Sequence, residues 1–356
     1  MMAKLIQTFL RLTAIGGDYP VPTSEASYLA HQALIDEVCI LGGALASDGT
    51  WSQAPALQEP FAQSLLGHAT GAGQRYTPFL NPGHGSDKTA IHAVLDDPAL
   101  QQAAADDMLA LATTRFDAPW QGVVYDALHL EAGYMGKQEQ FLRLLSYTAQ
   151  SAGLSFGVSH PGTRPEDEST WLSLDTIAQI ADVYDCYFYG WWLAPCSIGP
   201  YWWVVQGIEN ALKHGIPARR IYLGIPNYAR YYPASNDYTT AYDITYDQAM
   251  QIVHDNNSFV QWIESDETGL IREKYADVGQ GHIWISDGDT VRHRLELVDH
   301  YSLGGVMLFI PGMGAESVWD AIAEWKTPAT PDVPEVRASN PTDFFLEVPI
   351  GAGELA

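Results

Sequence analysis

Eight short runs rich in β-branched and aromatic residues recur along the chain, at 5–15, 37–46, 75–81, 122–130, 154–160, 183–192, 220–226 and 305–310. Each leads into a polar or Gly/Pro stretch. Between several of them lie segments with apolar residues at three-to-four spacing, at 98–114, 137–152, 174–181 and 202–214. Strand-like runs alternating with helical periodicity are the signature of β/α repetition. Eight such units favour closure into an α/β (β/α)8 barrel, a TIM barrel, over an open sheet.

The seventh and eighth runs are separated by about eighty residues, too many for one connecting helix, which predicts a small insertion over 231–284. After residue 326 the chain changes character. The stretch KTPATPDVPE (326–335) is Pro-rich and suits neither a helix nor an inner strand. Residues 1–326 therefore read as the barrel with its insertion, and 327–356 as an extended tail. Within that tail FFLEVPI (344–350) is apolar without amphipathic context, so 327–356 is the expected place for a protein partner.

Charge limits the partners. With 18 Lys and Arg against 43 Asp and Glu, the formal net charge is −25, which repels phosphate backbones and anionic headgroups. A nucleic-acid role is disfavoured, and a neutral glycan is not. No run reaches the ~18 apolar residues of a membrane span. The opening MMAKLIQTFLRLTAIGG is interrupted by Gln7 and Arg11 and makes a poor signal-peptide core, so it reads as the first barrel strand. Localisation stays open, with an extracellular or virion-associated setting in view.

Three cysteines, Cys39, Cys186 and Cys196, have no metal spacing, so neither a disulfide framework nor a metal centre is expected, and no cofactor is implied. His129 and His160 fall near strand ends without zinc-type spacing. The aromatics say more. Eleven Trp and 19 Tyr exceed what a core needs, because each buried indole N–H or phenol O–H requires a partner. Trp191 and Trp192 are expected in a sugar-stacking groove, and Trp202 and Trp203 in helix packing.

Three stretches carry a resemblance to glycoside hydrolase family 18, in particular its spore-cortex and peptidoglycan-acting branch. RRIYLGIPNYARYYP (219–233) is similar to the family's seventh strand, with Tyr228 facing the groove. HIWISDGDTVRHRLELVDHYSLGGVMLFIPGMGAESVWDAI (282–322) resembles its last strand and helices, and APCSIGPYWWVVQGIENALKHGIP (194–217) its loop and helix between strands six and seven. DEVCILGGALASDGTW (36–51) resembles the second strand and its turn. Their shared order spreads the match over most of residues 1–325.

The active-site strand departs from that pattern. The family's D-x-x-D-x-D-x-E motif falls on WQGVVYDALHLEAG (120–133), which puts Gln121, Val124, Asp126 and Leu128 at its four positions. Asp126 survives as the residue that orients the N-acetyl group. Leu128 stands where the resemblance places the proton donor. In DVYDCYFYG (182–190) Tyr189 matches a signature tyrosine while Gly190 replaces its Asp, and Phe309 falls where the family has a sugar-flooring Trp.

The candidate catalytic residues are thus Asp126, Glu131 and Tyr189, and the candidate sugar contacts Trp191, Trp192, Tyr228 and Phe309. The resemblance implies a barrel that binds a GlcNAc-containing glycan, chitin or peptidoglycan, as a catalytically impaired pseudoenzyme. Two alternatives stand beside it. One is an active substrate-assisted N-acetylhexosaminidase using Asp126 and Glu131. The other is a structural or receptor-binding subunit of a virion, phage tail or extracellular assembly.

Overall fold

The computed structural model of the chain describes residues 4–11, 14–53, 64–65, 68, 71–83, 87–113, 121–127, 129–162, 172–187, 197–234, 240–266 and 269–327. Leu128, Tyr189, Gly190, Trp191, Trp192, Cys196 and residues 328–356 lie outside them, and with them the expectations for the aromatic loop and most of the tail.

The strands are β1 (Leu5–Leu10), β2 (Glu37–Leu45), β3 (Trp51–Gln53), β4 (Arg75–Asn81), β5 (Gly122–Asp126), β6 (Ser155–Pro161), β7 (Val183–Tyr187), β8 (Ile221–Pro226), β9 (Ala229–Tyr232), β10 (Tyr242–Ile244), β11 (Gln261–Asp266), β12 (Gly269–Val278), β13 (Gly281–Ile285) and β14 (Gly305–Phe309). The helices are α1 (Glu25–His31), α2 (Thr89–Asp96), α3 (Pro98–Thr113), α4 (Ala132–Ser151), α5 (Leu174–Ile180), α6 (Tyr201–Lys213), α7 (Tyr246–Asp255), α8 (Gly288–Tyr301) and α9 (Glu316–Lys326).

Strands β1, β2, β4, β5, β6, β7, β8 and β14 pair in parallel, and β1 closes the ring by pairing with both β14 and β2. This is the (β/α)8 barrel expected from the repetition. Short β3 adds an antiparallel hairpin to β2, where Trp51 Nε1 donates to Ala104 O at 2.9 Å and Asp107 accepts from the Trp51 amide at 2.6 Å.

Period two divides each barrel strand into two faces. Ile6, Val38, Ile40, Tyr76, Val123, Tyr125, Phe156, Val158, Leu223 and Leu308 are buried in one core with the surrounding helices. Their neighbours in the strands, Gln7, Glu37, Thr77 and Asp185, face inward and are buried too. The barrel centre is therefore polar. Glu37 accepts from Gln7 Nε2 and Thr77 Oγ1, both at 3.0 Å, and pairs with Arg75 Nη2 at 2.9 Å. Burial pushes the Asp185 carboxyl well above the usual carboxylate range, and the Glu37 charge adds to it.

Between β8 and α8 the insertion forms an antiparallel sheet in the order β10-β9-β13-β12-β11. One face packs Ala229, Ile244, Ala276, Ile283 and Ile285 against α7, whose start is fixed by reciprocal Thr245 and Gln248 hydrogen bonds. The other presents Tyr232, Ile271 and Trp284 to Tyr228, Ile310 and Met313. A buried ion pair joins this sheet to its surroundings: Glu273 on β12 accepts from Arg294 Nη2 of α8 at 2.8 Å and from the amides of Ile198 and Gly199 at 2.9 and 3.1 Å.

Candidate carbohydrate site at the barrel mouth

In a parallel barrel the C-terminal strand ends surround one face, which collects side chains from several strands. Asp126 ends β5 there. Because Tyr125 packs outward on Trp51 and Phe141, Asp126 is directed inward, and its Oδ2 accepts from Asn81 Nδ2, at the end of β4, across 3.3 Å. The side chain keeps a partial opening to solvent, yet desolvation of the carboxyl raises its pKa to about 7. Tyr187, ending β7, lies within reach of the same charge. Burial first, and the Asp126 charge second, push its phenol well above the usual range.

An aromatic surface adjoins this acid. Phe79, two residues before Asn81, meets Phe9 edge-on with centroids 4.9 Å apart, Phe9 meets Phe309 at 5.4 Å, and Phe309 meets Tyr228 edge-on at 6.4 Å. The Asn227 amide donates to Phe309 O at 2.6 Å, and its side chain donates to Ile310 O at 3.1 Å, which ties the end of β14 to the segment after β8. A Cβ on Gly314 would sit 1.6 Å from Asn227 Oδ1, so only glycine lets that clamp close. Tyr228 is buried, and its hydroxyl accepts from Arg230 Nη2 at 3.3 Å. It forms wall more than open surface.

Glu131 is placed differently. The strand ends at Asp126, and Glu131 stands at the N-terminus of α4 with its side chain 60% exposed. Its carboxylate contacts His92 Nε2 at 3.0 Å and Lys88 Nζ at 3.5 Å. Its own backbone amide holds its pKa below the usual range; desolvation opposes this, and Lys88 and His92 add to the lowering. The structure thus brings Asp126, Phe309 and Tyr228 to one end of the barrel, while Glu131, at the start of α4, is exposed and engaged by Lys88 and His92.

Neither Asn81 nor Tyr187 is a candidate from the sequence. Both sit at strand ends in phase with inward-facing residues, and that shared parity is the available signal. His160 is buried on the helix-facing side against Tyr184, and burial lowers its pKa to about 3, so its ring is neutral. Cys39 and Cys186 are free and buried. Among the described residues no cluster of three or more His, Cys, Asp or Glu could hold a metal ion, and no helix is long and apolar enough to cross a membrane.

The fold is a (β/α)8 barrel with an inserted antiparallel sheet, and it is similar to solved structures of chitinases and spore cortex-lytic enzymes. A chitinase from Chromobacterium violaceum superimposes with a TM-score of 0.76 at 17% identity, over 91% of this chain and 99% of that one. The spore cortex-lytic enzyme of Bacillus megaterium gives 0.75 at 16%, over 91% of this chain and 74% of that one. A class V chitinase from Pseudomonas fluorescens gives 0.76 at 15%, over 91% and 100%. No protein-family model and no curated protein matches the sequence. The family 18 resemblance read from the sequence holds at the level of the fold.

Proposed function

We propose that the chain is a carbohydrate-binding barrel that holds a GlcNAc-containing glycan, of chitin or peptidoglycan type, at its mouth without efficient cleavage. The observation that carries this reading is Asp126, an inward acid held by an amide beside an aromatic surface, in the fold of proteins named as chitinases and a cortex-lytic enzyme. Sugars present apolar faces to rings and N–H or O–H groups to a carboxylate, and the mouth offers both.

Cleavage requires in addition a group that gives a proton to the glycosidic oxygen. The family resemblance puts that group at residue 128, which is leucine. Glu131 is exposed, ion-paired and ionised at neutral pH, so it carries no proton to give. Loss of a general acid costs about 10²–10⁴ in rate.

A second reading, a retaining substrate-assisted N-acetylhexosaminidase, draws on the same carboxyl. With a pKa near 7, Asp126 carries a proton in about half of the molecules at neutral pH. Calorimetric titration with N-acetylglucosamine tetramer tests the binding reading. Saturable binding that weakens more than about tenfold in Asp126→Ala is expected. No binding by the wild type would overturn it.

A further inference from the structure

The arginines of the inserted sheet and α8 each hold a carboxylate. Arg230 pairs with Asp243 at 3.0 Å, Arg272 with Glu264 at 3.0 Å, and Arg294 with Glu273 at 2.8 Å. Arg11 does not. It directly follows β1 and shares the parity of Phe9, which directs it toward the mouth. Its backbone is fixed by exchange with Ser24, whose Oγ accepts from the Arg11 amide at 3.0 Å and whose amide donates to Arg11 O at 2.9 Å.

The guanidinium lies against apolar neighbours. Nη2 is 3.9 Å from Met313 Sδ, and Met313 belongs to the cluster that packs with Tyr228, Trp284, Phe9 and Phe309. Nε is buried without a hydrogen-bond partner, and among the ion pairs of the described residues, such as Arg230 with Asp243, none includes Arg11. The acid whose charge reaches Arg11, Asp243, is already held by Arg230. Burial lowers the Arg11 pKa, but a guanidinium stays charged throughout the physiological range. A chain with 43 acids for 18 bases has carboxylates in excess, so a partly desolvated arginine left open beside the aromatic surface is a cation set for an external anion.

We propose that Arg11 reads a carboxylate on the bound glycan, so that the mouth prefers an acidic amino-sugar polymer to a neutral one. The inference rests on the glycan-binding reading above. A planar guanidinium takes a carboxylate through two parallel N–H···O bonds, and the whole-molecule charge of −25 makes such a local cation necessary for an anionic ligand to settle there.

The test titrates the full chain with four tetramers: N-acetylglucosamine alone, alternating N-acetylglucosamine and N-acetylmuramic acid with free lactyl carboxylates, its methyl ester, and the same polymer with the lactyl groups amidated by a carboxylate-bearing peptide. The acid should bind about tenfold tighter than its ester in the wild type. That ratio should fall to about one in Arg11→Gln and persist in part in Arg11→Lys. A preference confined to the peptide-bearing tetramer would assign the carboxylate to the peptide instead of the sugar. Equal affinity for acid, ester and peptide-bearing tetramers in the wild type, which requires no variant, overturns the inference, as does a ratio unchanged in Arg11→Gln. Binding of the neutral tetramer without any acid preference removes this inference and leaves the proposed function standing. Binding of none removes both.

Discussion

Asn81 Nδ2 donates to Asp126 Oδ2 at 3.3 Å between adjacent barrel strands, so the acid at the mouth is held by a neutral amide and not by a cation. A neutral donor fixes the orientation of a carboxylate while doing little to offset its desolvation. The raised pKa of Asp126 follows from that balance.

That shift makes stability depend on pH in a defined direction. Between the ordinary carboxylate value of 3.8 and about 7, the folded state binds a proton at Asp126 that the unfolded state has released, so this group's favourable contribution is complete below pH 4 and lost as pH rises through 7. Asp126→Asn removes the titration. It should gain stability relative to wild type on the order of 3 kcal/mol at pH 8 and much less at pH 4. Urea denaturation of both proteins at the two pH values measures this; an equal difference at both would refute the shift.

The Glu273–Arg294 pair anchors the inserted sheet to residues 198–199. Desolvation is the largest influence on both partners, raising the acid and lowering the base, so each depends on the other to stay charged. Arg294→Met strands a buried carboxylate and should cost about 3–5 kcal/mol, while Arg294→Met with Glu273→Leu should recover much of the loss. Denaturant midpoints of the single and double variants decide it.

Glu131 sits on an exposed polar surface with Lys88 and His92. Glu131→Gln should leave stability essentially unchanged and affinity for a GlcNAc oligomer unaltered. A large loss of binding in that variant would return Glu131 to the site.

Self-repulsion from a charge of −25 is long-ranged and is screened within a Debye length of about 10 Å at 0.1 M salt. Raising NaCl from 0.02 to 0.5 M should lift the melting temperature by roughly 2–5 °C. Melting curves that fall with salt would show that specific ion pairs outweigh the net repulsion.

The barrel was legible in the sequence because each strand and helix carries a local period. β4 spans 75–81 as expected, and β8 and β14 differ from expectation by one residue at one end. β1 stops at Leu10 where the apolar run suggests 15, since Ile15 turns to bridge Val21. α4 begins at Ala132 and not 137, because Glu131 and the first helical turn have no apolar stripe to announce them. The insertion showed as surplus length over 231–284, but its five-stranded order depends on pairings such as His282 with Tyr232, fifty residues apart, which have no local signal. The same holds for the site. Asp126, Tyr228 and Phe309 are candidates that the family pattern singles out, whereas Asn81, Tyr187 and Arg11 become candidates only when parity and closure place them beside residues distant in sequence.

The most direct test of the account is the release of reducing ends from N-acetylglucosamine oligomers and peptidoglycan fragments by the wild type over long incubation, beside Asp126→Ala and Leu128→Glu. Wild-type release is expected not to exceed the Asp126→Ala background, with at most a weak gain in Leu128→Glu, since an acid catalyst requires a tuned pKa as well as a carboxylate. Wild-type turnover abolished in Asp126→Ala would contradict it and establish the chain as a hydrolase.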